Sequence, residues 1–364
     1  MSFRKVPSWP ARCRVWLPLL AVALLAACGG PFPQSTLIPK GDFARMVDEV
    51  FFTTVKWAVL VFVLVEGALL YAIFRFRAKP GDPRPEQTHG NTTVEVIWTV
   101  IPAAILAFIA VPTVRTIFRT EEIPAGAMEI EVIGHQWWWE FRYPEQKVVT
   151  ANEMHVPAGR TVVVKIRTAD VLHSFWVPQF GAKRDAFPGR YTHFWFTTDS
   201  LGSFTGQCAE FCGMQHGRMG SLVVVQTPQD FEQWVAIQQA GSPLVNNGVV
   251  AAAALADSSL KAPAAPVDSV MIKGQQEFMA GGCIGCHAMV GTPTAGVLAF
   301  LGPNLSHVGS RQRLAAGMLE NTPENLALWL RDPQKVKAGS LMKLPQPLTE
   351  AQISVLVAYL RAHQ

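Results

Sequence analysis

The sequence contains no dense run of lysine and arginine, and 31 basic against 27 acidic residues leave a formal charge of only +4. Four of the basic residues, Arg4, Lys5, Arg12 and Arg14, lie in an N-terminal stretch without an acidic residue, so the rest of the chain is close to neutral. Binding to nucleic acid, which needs a basic patch, is excluded on that ground. Cysteine is sparse, six in 364 residues, and a second Cys-x-x-Cys pair is missing, which removes a four-cysteine zinc site. No βαβ pattern surrounds the one such pair, Cys283 and Cys286, and this sets aside a thioredoxin-like redox role. What the chain has in quantity is apolar surface. Hydrophobic residues make up 49% and mean hydropathy is positive, the mark of a membrane component, in a length that holds two or three domains.

The N-terminus reads as a secretory signal. The basic residues precede an apolar stretch from Val15 to Ala27, and Leu25-Ala-Ala-Cys28-Gly has the form of a bacterial lipoprotein cleavage box. Cleavage after residue 27 makes Cys28 the lipidated first residue and removes Cys13 with the signal; an uncleaved anchor is the alternative, since Pro18 interrupts the stretch. Two further apolar segments follow. Val50 to Phe74, about 25 residues at about 1.5 Å each, is long enough for a hydrocarbon core of about 30 Å. Val94 to Phe118 is the second, and its Pro102 and Pro112 are tolerated in transmembrane helices. The short loop between them carries Arg75, Arg77, Lys79 and Arg84, which the positive-inside rule puts in the cytoplasm. Everything after residue 120 then lies outside the membrane.

From about residue 125 to 226 the period changes. Met128 to Ile133, Thr161 to Arg167, His193 to Thr197 and Ser221 to Val225 are short β-branched or aromatic runs between Pro, Gly and Asp signals, the pattern of an all-β sandwich or barrel. Asp230 to Gln239 reads as a short helix begun by Thr227 and Pro228. Residues 240–268, rich in Ala, Pro, Ser and Gly, read as a flexible linker. Helical period returns at Val270 to Ala280, at Pro323 to Arg331 opened by Thr322, and at Thr349 to Ala362 with Gln352 three residues after its cap. Such short helices around long loops need a large cofactor to complete a core.

Two segments carry chemistry. In Cys208-Ala-Glu210-Phe-Cys212-Gly-Met-Gln-His216-Gly-Arg-Met219, thiolate, imidazole and thioether donors suit copper, and two bridging sulfurs can hold two coppers that share one unpaired electron. His173, in Asp170-Val-Leu-His173-Ser-Phe, is the natural second imidazole. A disulfide between Cys208 and Cys212 is the alternative, but it leaves His216 and Met219 unexplained. The second segment, Cys283-Ile-Gly-Cys286-His287, is the attachment signature of c-type haem, with two thioethers and an adjacent imidazole for the iron. A methionine sixth ligand gives a high potential. Met342, on a loop before the last helix, is preferred to Met318, and Met289 is too near the haem turn. Gly302-Pro303-Asn304-Leu305 reads as the loop on the proximal side.

These residues carry a close resemblance. The two membrane helices, Gly134-His135-Gln136-Trp137-Trp138-Trp139, the Asp170 to Phe175 stretch, Gly181 to Arg190 and the Cys208 to Met219 loop look like subunit II of haem-copper cytochrome c oxidase. The C-terminal segment resembles the cytochrome c fused to some bacterial members, so the likeness covers nearly all of the mature chain. It implies a multidomain protein: a signal at 1–27, a two-helix transmembrane hairpin within 28–120, an all-β cupredoxin-like domain at 121–239, the linker, and an all-α cytochrome c domain at 269–364.

The resemblance also implies roles. The ligands of the binuclear CuA centre would be His173, Cys208, Glu210 through its backbone carbonyl, Cys212, His216 and Met219; the Glu210 side chain would reach a magnesium ion shared with subunit I. Trp137 would be the tryptophan through which electrons arrive, and Glu95 the glutamate at the mouth of a proton channel, although an acid at a helix end also snorkels into solvent. Glu66 has no implied role. Ala209 departs from the serine of many relatives without removing a ligand. The implied function is the electron-input subunit of a proton-pumping terminal oxidase in the bacterial inner membrane. Its implied cofactors are CuA and covalently bound haem c, and its implied partners are subunits I and III and a cytochrome c donor. Oxygen is then reduced in subunit I. A CuA subunit of a nitric oxide reductase is the alternative within respiration, and a membrane-tethered electron shuttle the alternative outside it. Two helices argue against the shuttle, since they offer a surface for a large membrane partner.

Overall fold

The computed structural model describes residues 32–78, 80–83, 87, 89–181, 183–240, 269–290, 292 and 301–364. The expected signal, Cys28, and residues 241–268 of the expected linker lie outside the described residues.

Helices α1 (Asp42–Arg75) and α2 (Thr92–Glu121) are each long and apolar enough to cross a membrane. Both exceed the expected spans. The early start of α1 has a physical cause: its first turn belongs to the β unit. Asp42 Oδ1 accepts from the Thr197 backbone N–H at 2.7 Å, and Phe43 is 2% exposed, edge-on to Phe194 and Trp195. The helix therefore leaves the sandwich already fixed in direction. α2 is capped by Asn91, whose Oδ1 accepts from Val94 N–H, and runs unbroken through Pro102 and Pro112.

Among the described residues, ten strands make two five-stranded sheets. The first has the order β3-β2-β1-β5-β8, from β1 (Met128–His135), β2 (Trp138–Tyr143), β3 (Val148–Ala151), β5 (Val162–Thr168) and β8 (Thr192–Phe196). The second has the order β4-β10-β9-β6-β7, from β4 (Glu153–Pro157), β6 (His173–Trp176), β7 (Arg184–Ala186), β9 (Gly202–Cys208) and β10 (Gly220–Gln226). β1 runs parallel to β5 and β4 parallel to β10; the other pairings are antiparallel. Ile130, Val132, Phe141, Val164, Phe175 and Val223, each fully buried, face one another between the sheets. Side chains of this size contribute roughly 1.5–3 kcal/mol each on burial, so the sandwich is the rigid frame of the molecule. α3 (Pro228–Ala240) closes it, starting at the expected Thr227, whose Oγ1 accepts from Asp230 N–H.

The C-terminal unit consists of α4 (Ser269–Ala280), a two-stranded hairpin of β11 (Arg313–Leu314) and β12 (Leu319–Glu320), α5 (Pro323–Arg331), α6 (Pro333–Val336) and α7 (Glu350–Ala362). The Thr322 cap and the Thr349/Gln352 capping box form as the sequence leads one to expect. Its core is small: Phe278, Leu326, Leu330, Ile353, Leu356 and Tyr359 pack together, with Cys283, Ile284 and Met342 on the rim.

Candidate metal centres

Three elements bring the copper-type donors together. β6 opens with His173, β9 ends on Cys208, and the loop from Cys212 through a 3-10 turn at His216–Arg218 returns the chain to β10 after Met219. The ladder between β6 and β9 pairs Phe175 with Cys208, and that register brings His173 alongside the loop. Cys208 Sγ lies 3.8 Å from Cys212 Sγ and 3.8 Å from His173 Nδ1. Cys212 Sγ lies 3.7 Å from His216 Nδ1 and 3.9 Å from Met219 Sδ, and the Glu210 carbonyl is 3.3 Å from Cys208 Sγ. A disulfide has sulfurs about 2.05 Å apart, so the disulfide alternative is wrong and both cysteines are free. Separations of 3.7–3.9 Å are what two bonds of ~2.0–2.3 Å to a shared ion leave between donors. Among the described residues, His173, Cys208 and Cys212 are the one group of three or more His, Cys, Asp or Glu side chains close enough to hold a metal, and all three are buried.

The surroundings orient these donors. His173 Nε2 is 2.8 Å from Asp170 Oδ1, which turns Nδ1 toward the sulfur. Burial pushes the Asp170 carboxyl up, but His173 and the Gln136 and Val171 backbone N–H groups outweigh it, and Asp170 is held below its ordinary value. His173 is raised: burial pushes it down, while Asp170 and Cys208 more than compensate. The contact with Cys212 pulls the Cys208 thiol well below its ordinary value against the opposing effect of burial. The same contact pushes Cys212 up. Two buried thiols this close share a single negative charge until cations lie between them, and the donor set suits soft monovalent or divalent copper.

At the other centre, a 3-10 turn at Cys283–Gly285 carries the Cys-x-x-Cys-His segment. His287 Nδ1 donates to the Pro303 carbonyl at 2.8 Å, which fixes the tautomer with the lone pair on Nε2 and orients the ring, leaving Nε2 as the atom that would hold an iron. Burial lowers His287, keeping the imidazole neutral. Gly302 closes over the ring, since a Cβ there would lie 2.5 Å from His287 Cε1. Of the three methionines, Met289 is 0% exposed in the core and Met318 sits in the β11–β12 hairpin. Met342 packs against the same small core as Cys283 and Ile284, and Pro345 of the same loop approaches Gly282.

Trp137 lies against the copper-type loop, donating from Nε1 to the Cys212 carbonyl at 2.9 Å; Gln136 Nε2 donates to the same oxygen at 2.7 Å. Trp139 is fully buried, and Trp138 stacks on His135 at 4.2 Å. The Glu210 side chain is exposed. Glu95 Oε1 accepts from Asn91 N–H at the start of α2, and Glu66 is half-buried within α1. Sequence reasoning passed over Asp170, Gln136 and Gly134 as members of the site. Asp170 was visible as a carboxylate three residues before His173; the other two carried no local signal. A Cβ at Gly134 would lie 2.7 Å from His173 Cδ2, so the ring occupies the space a side chain would need.

Family comparisons agree along the chain. The model for "Cytochrome C oxidase subunit II, transmembrane domain" matches residues 41–116, that for "Cytochrome C oxidase subunit II, periplasmic domain" matches 147–227, and that for "Cytochrome c" matches 271–364. A protein of Alkalihalophilus pseudofirmus named cytochrome c oxidase subunit 2 is 34% identical over 97% of this chain and 98% of its own length. Proteins with the same name from Bacillus sp. strain PS3 and Bacillus subtilis are 36% and 30% identical, over 93% and 95% of this chain and 93% and 96% of theirs.

Proposed function

This chain belongs to the cytochrome c oxidase subunit II family with a fused C-terminal cytochrome c domain, and from that premise we propose that it is the electron-input subunit of a proton-pumping terminal oxidase. It takes electrons from a cytochrome c or equivalent donor through its own c-type haem and binuclear CuA and hands them to subunit I, where dioxygen is reduced. One observation carries the reading: soft donors spaced for a two-sulfur copper site and a Cys-x-x-Cys-His turn occur on one chain behind two membrane-length helices.

In this reading His173, Cys208, the Glu210 carbonyl, Cys212, His216 and Met219 hold the two coppers, and Cys283, Cys286, His287 and Met342 hold the haem. When bound, each of the two groups would supply a one-electron site, with Cys208 and Cys212 the thiolates that would hold the coppers. The chain's own residues orient and insulate. Asp170 fixes the His173 ring, the sandwich core excludes water from the sulfurs, and the Pro303 carbonyl fixes the His287 tautomer. The exposed Glu210 side chain is available to a magnesium ion shared with subunit I, Trp137 receives electrons at the copper loop, and Glu95 serves the proton channel. Subunits I and III are the membrane partners. Division at residues 28–120, 121–239, 240–268 and 269–364, a cleaved signal, a lipidated Cys28 and an extracytoplasmic face for both redox units in the inner membrane complete the reading.

Purification from solubilised membranes tests it. The oxidase reading expects copurification with a larger haem protein and cyanide-sensitive oxygen consumption; a chain that purifies alone, with its haem and copper intact and no oxygen consumption in the membrane fraction, is a shuttle.

A further inference from the structure

The C-terminal unit meets the sandwich along a seam made of three kinds of contact. The first is electrostatic. Glu153 in β4 is 1% exposed, and its carboxylate accepts the Arg313 backbone N–H at 2.7 Å. Burial pushes this carboxyl up; among the described residues, the groups that oppose it are Arg313, Arg311 and Gln312, all from the C-terminal unit. The second is the β11–β12 hairpin. Ala315 and Ala316 at its tip have φ of 52° and 58°, a left-handed conformation that costs free energy in a residue with a Cβ. The tip is held there from outside. Ala316 is 4% exposed against Trp138 and Ala151, and its carbonyl accepts from Gly220 N–H at 2.9 Å, one residue after Met219. A Cβ at Gly220 would lie 2.9 Å from that oxygen, so glycine permits the approach.

The third contact is Lys337. It is 4% exposed, and its ammonium donates to the Trp137 carbonyl at 3.1 Å and to the Ala315 carbonyl at 3.4 Å. Desolvation, then the nearby Arg218 guanidinium, pushes it down to about 8, so at neutral pH it remains a buried cation. Among the described residues its hydrogen-bond partners are backbone carbonyls, and burying a lysine that way is costly unless the site is built to receive it. Around it Gln215 Nε2 donates to the Ala338 carbonyl, and Trp138 Nε1 to the Leu301 carbonyl at 3.3 Å. The residues that follow Lys337 lead directly to Met342, and Trp137 leads to Cys212.

We propose that this seam holds the haem-bearing unit on the sandwich in one pose, with Glu153 and Lys337 as positioning residues. The seam engages the Trp137 carbonyl and the Trp138 indole N–H, next to the copper loop. The haem unit is then a fixed relay and not a carrier that swings on the 240–268 segment. The identity of the two electron sites rests on the proposed function; the docking itself does not.

The test uses the full chain in its purified complex and a Glu153→Gln/Lys337→Met variant. Hydrogen exchange is followed at the Gly220 and Arg313 amides, which cross or line the seam, with the Val164 amide inside the sandwich as the folding control. Loss of hydrogen bonds to two charged groups predicts exchange at least about tenfold faster at Gly220 and Arg313, with Val164 unchanged. Haem-to-copper transfer after rapid reduction of the haem slows by about the same factor if it depends on the docked population. Unprotected Gly220 and Arg313 amides in the unmodified chain, or equal exchange in the two proteins, overturns the proposal. A complex lacking the paired-copper or c-haem spectrum sinks the functional reading instead, and the exchange result still decides the docking.

Discussion

Asp170 and His173, three residues apart, meet at 2.8 Å between Oδ1 and Nε2, and this contact sets which ring nitrogen faces Cys208. A carboxylate behind a ligating imidazole raises its basicity and locks its rotamer. Asp170→Asn preserves the shape but removes the charge. It is expected to weaken copper retention about 10- to 100-fold, measured by competition with a copper chelator, and retention equal to the unmodified chain removes Asp170 from the site.

Gly134 is the site's steric boundary. In Gly134→Ala the new methyl meets the His173 ring at 2.7 Å, and that side chain, fully buried and held by Asp170, has little room to yield. Overpacking of this kind costs about 1–3 kcal/mol. The variant is expected to fold with a lower thermal midpoint and a perturbed copper spectrum, while the haem spectrum stays unchanged.

At the haem, Met342→Ala is expected to abolish the sulfur-to-iron charge-transfer band while the thioether attachment through Cys283 and Cys286 persists. Met318→Ala leaves that band in place, because Met318 belongs to the hairpin turned toward the sandwich. Loss of the band in Met318→Ala and not in Met342→Ala reverses the assignment.

His155 provides a pH dependence with a definite sign. Its ring stacks on Trp234 at 4.4 Å and bonds to Gln226 Oε1 through Nδ1, and burial lowers it to about 4 despite the opposing pull of Gln226. The unfolded chain takes up this proton near pH 6.5 and the folded one near 4, so protons favour unfolding. The contribution is complete above about pH 6.5 and is lost as pH falls toward 4, by on the order of 1–3 kcal/mol. Replacing His155 with Leu is expected to flatten that part of the thermal-midpoint profile; an unaltered slope assigns the dependence to another group.

Much of this molecule was legible before its structure, for reasons that differ between its parts. Metal donors are chemically rare and their spacing is short-range, so the Cys208–Met219 loop and the Cys283–His287 turn stand out in the sequence. The capping box at Thr349 and Gln352 is likewise local. Strands β2 and β9 did not stand out. Trp138 to Tyr143 is almost wholly buried and shows no alternation, and Gly202 to Cys208 is diluted by glycine and polar residues. The length of α1 was underestimated because Asp42 and Phe43 bond and pack with β8 and the residues after it, far away in sequence. Glu153 and Lys337 were invisible for the same reason, since nothing in the flanking residues reveals what a charged side chain will meet across a seam.

The most direct test of the central claim is electron paramagnetic resonance of the purified complex, comparing the unmodified chain with Cys212→Ser. Two coppers bridged by Cys208 and Cys212 predict hyperfine structure from one electron shared by two copper nuclei, lost in the variant while the c-haem spectrum remains. A signal from a single copper nucleus in the unmodified chain, or survival of the shared-electron signal in Cys212→Ser, contradicts the account.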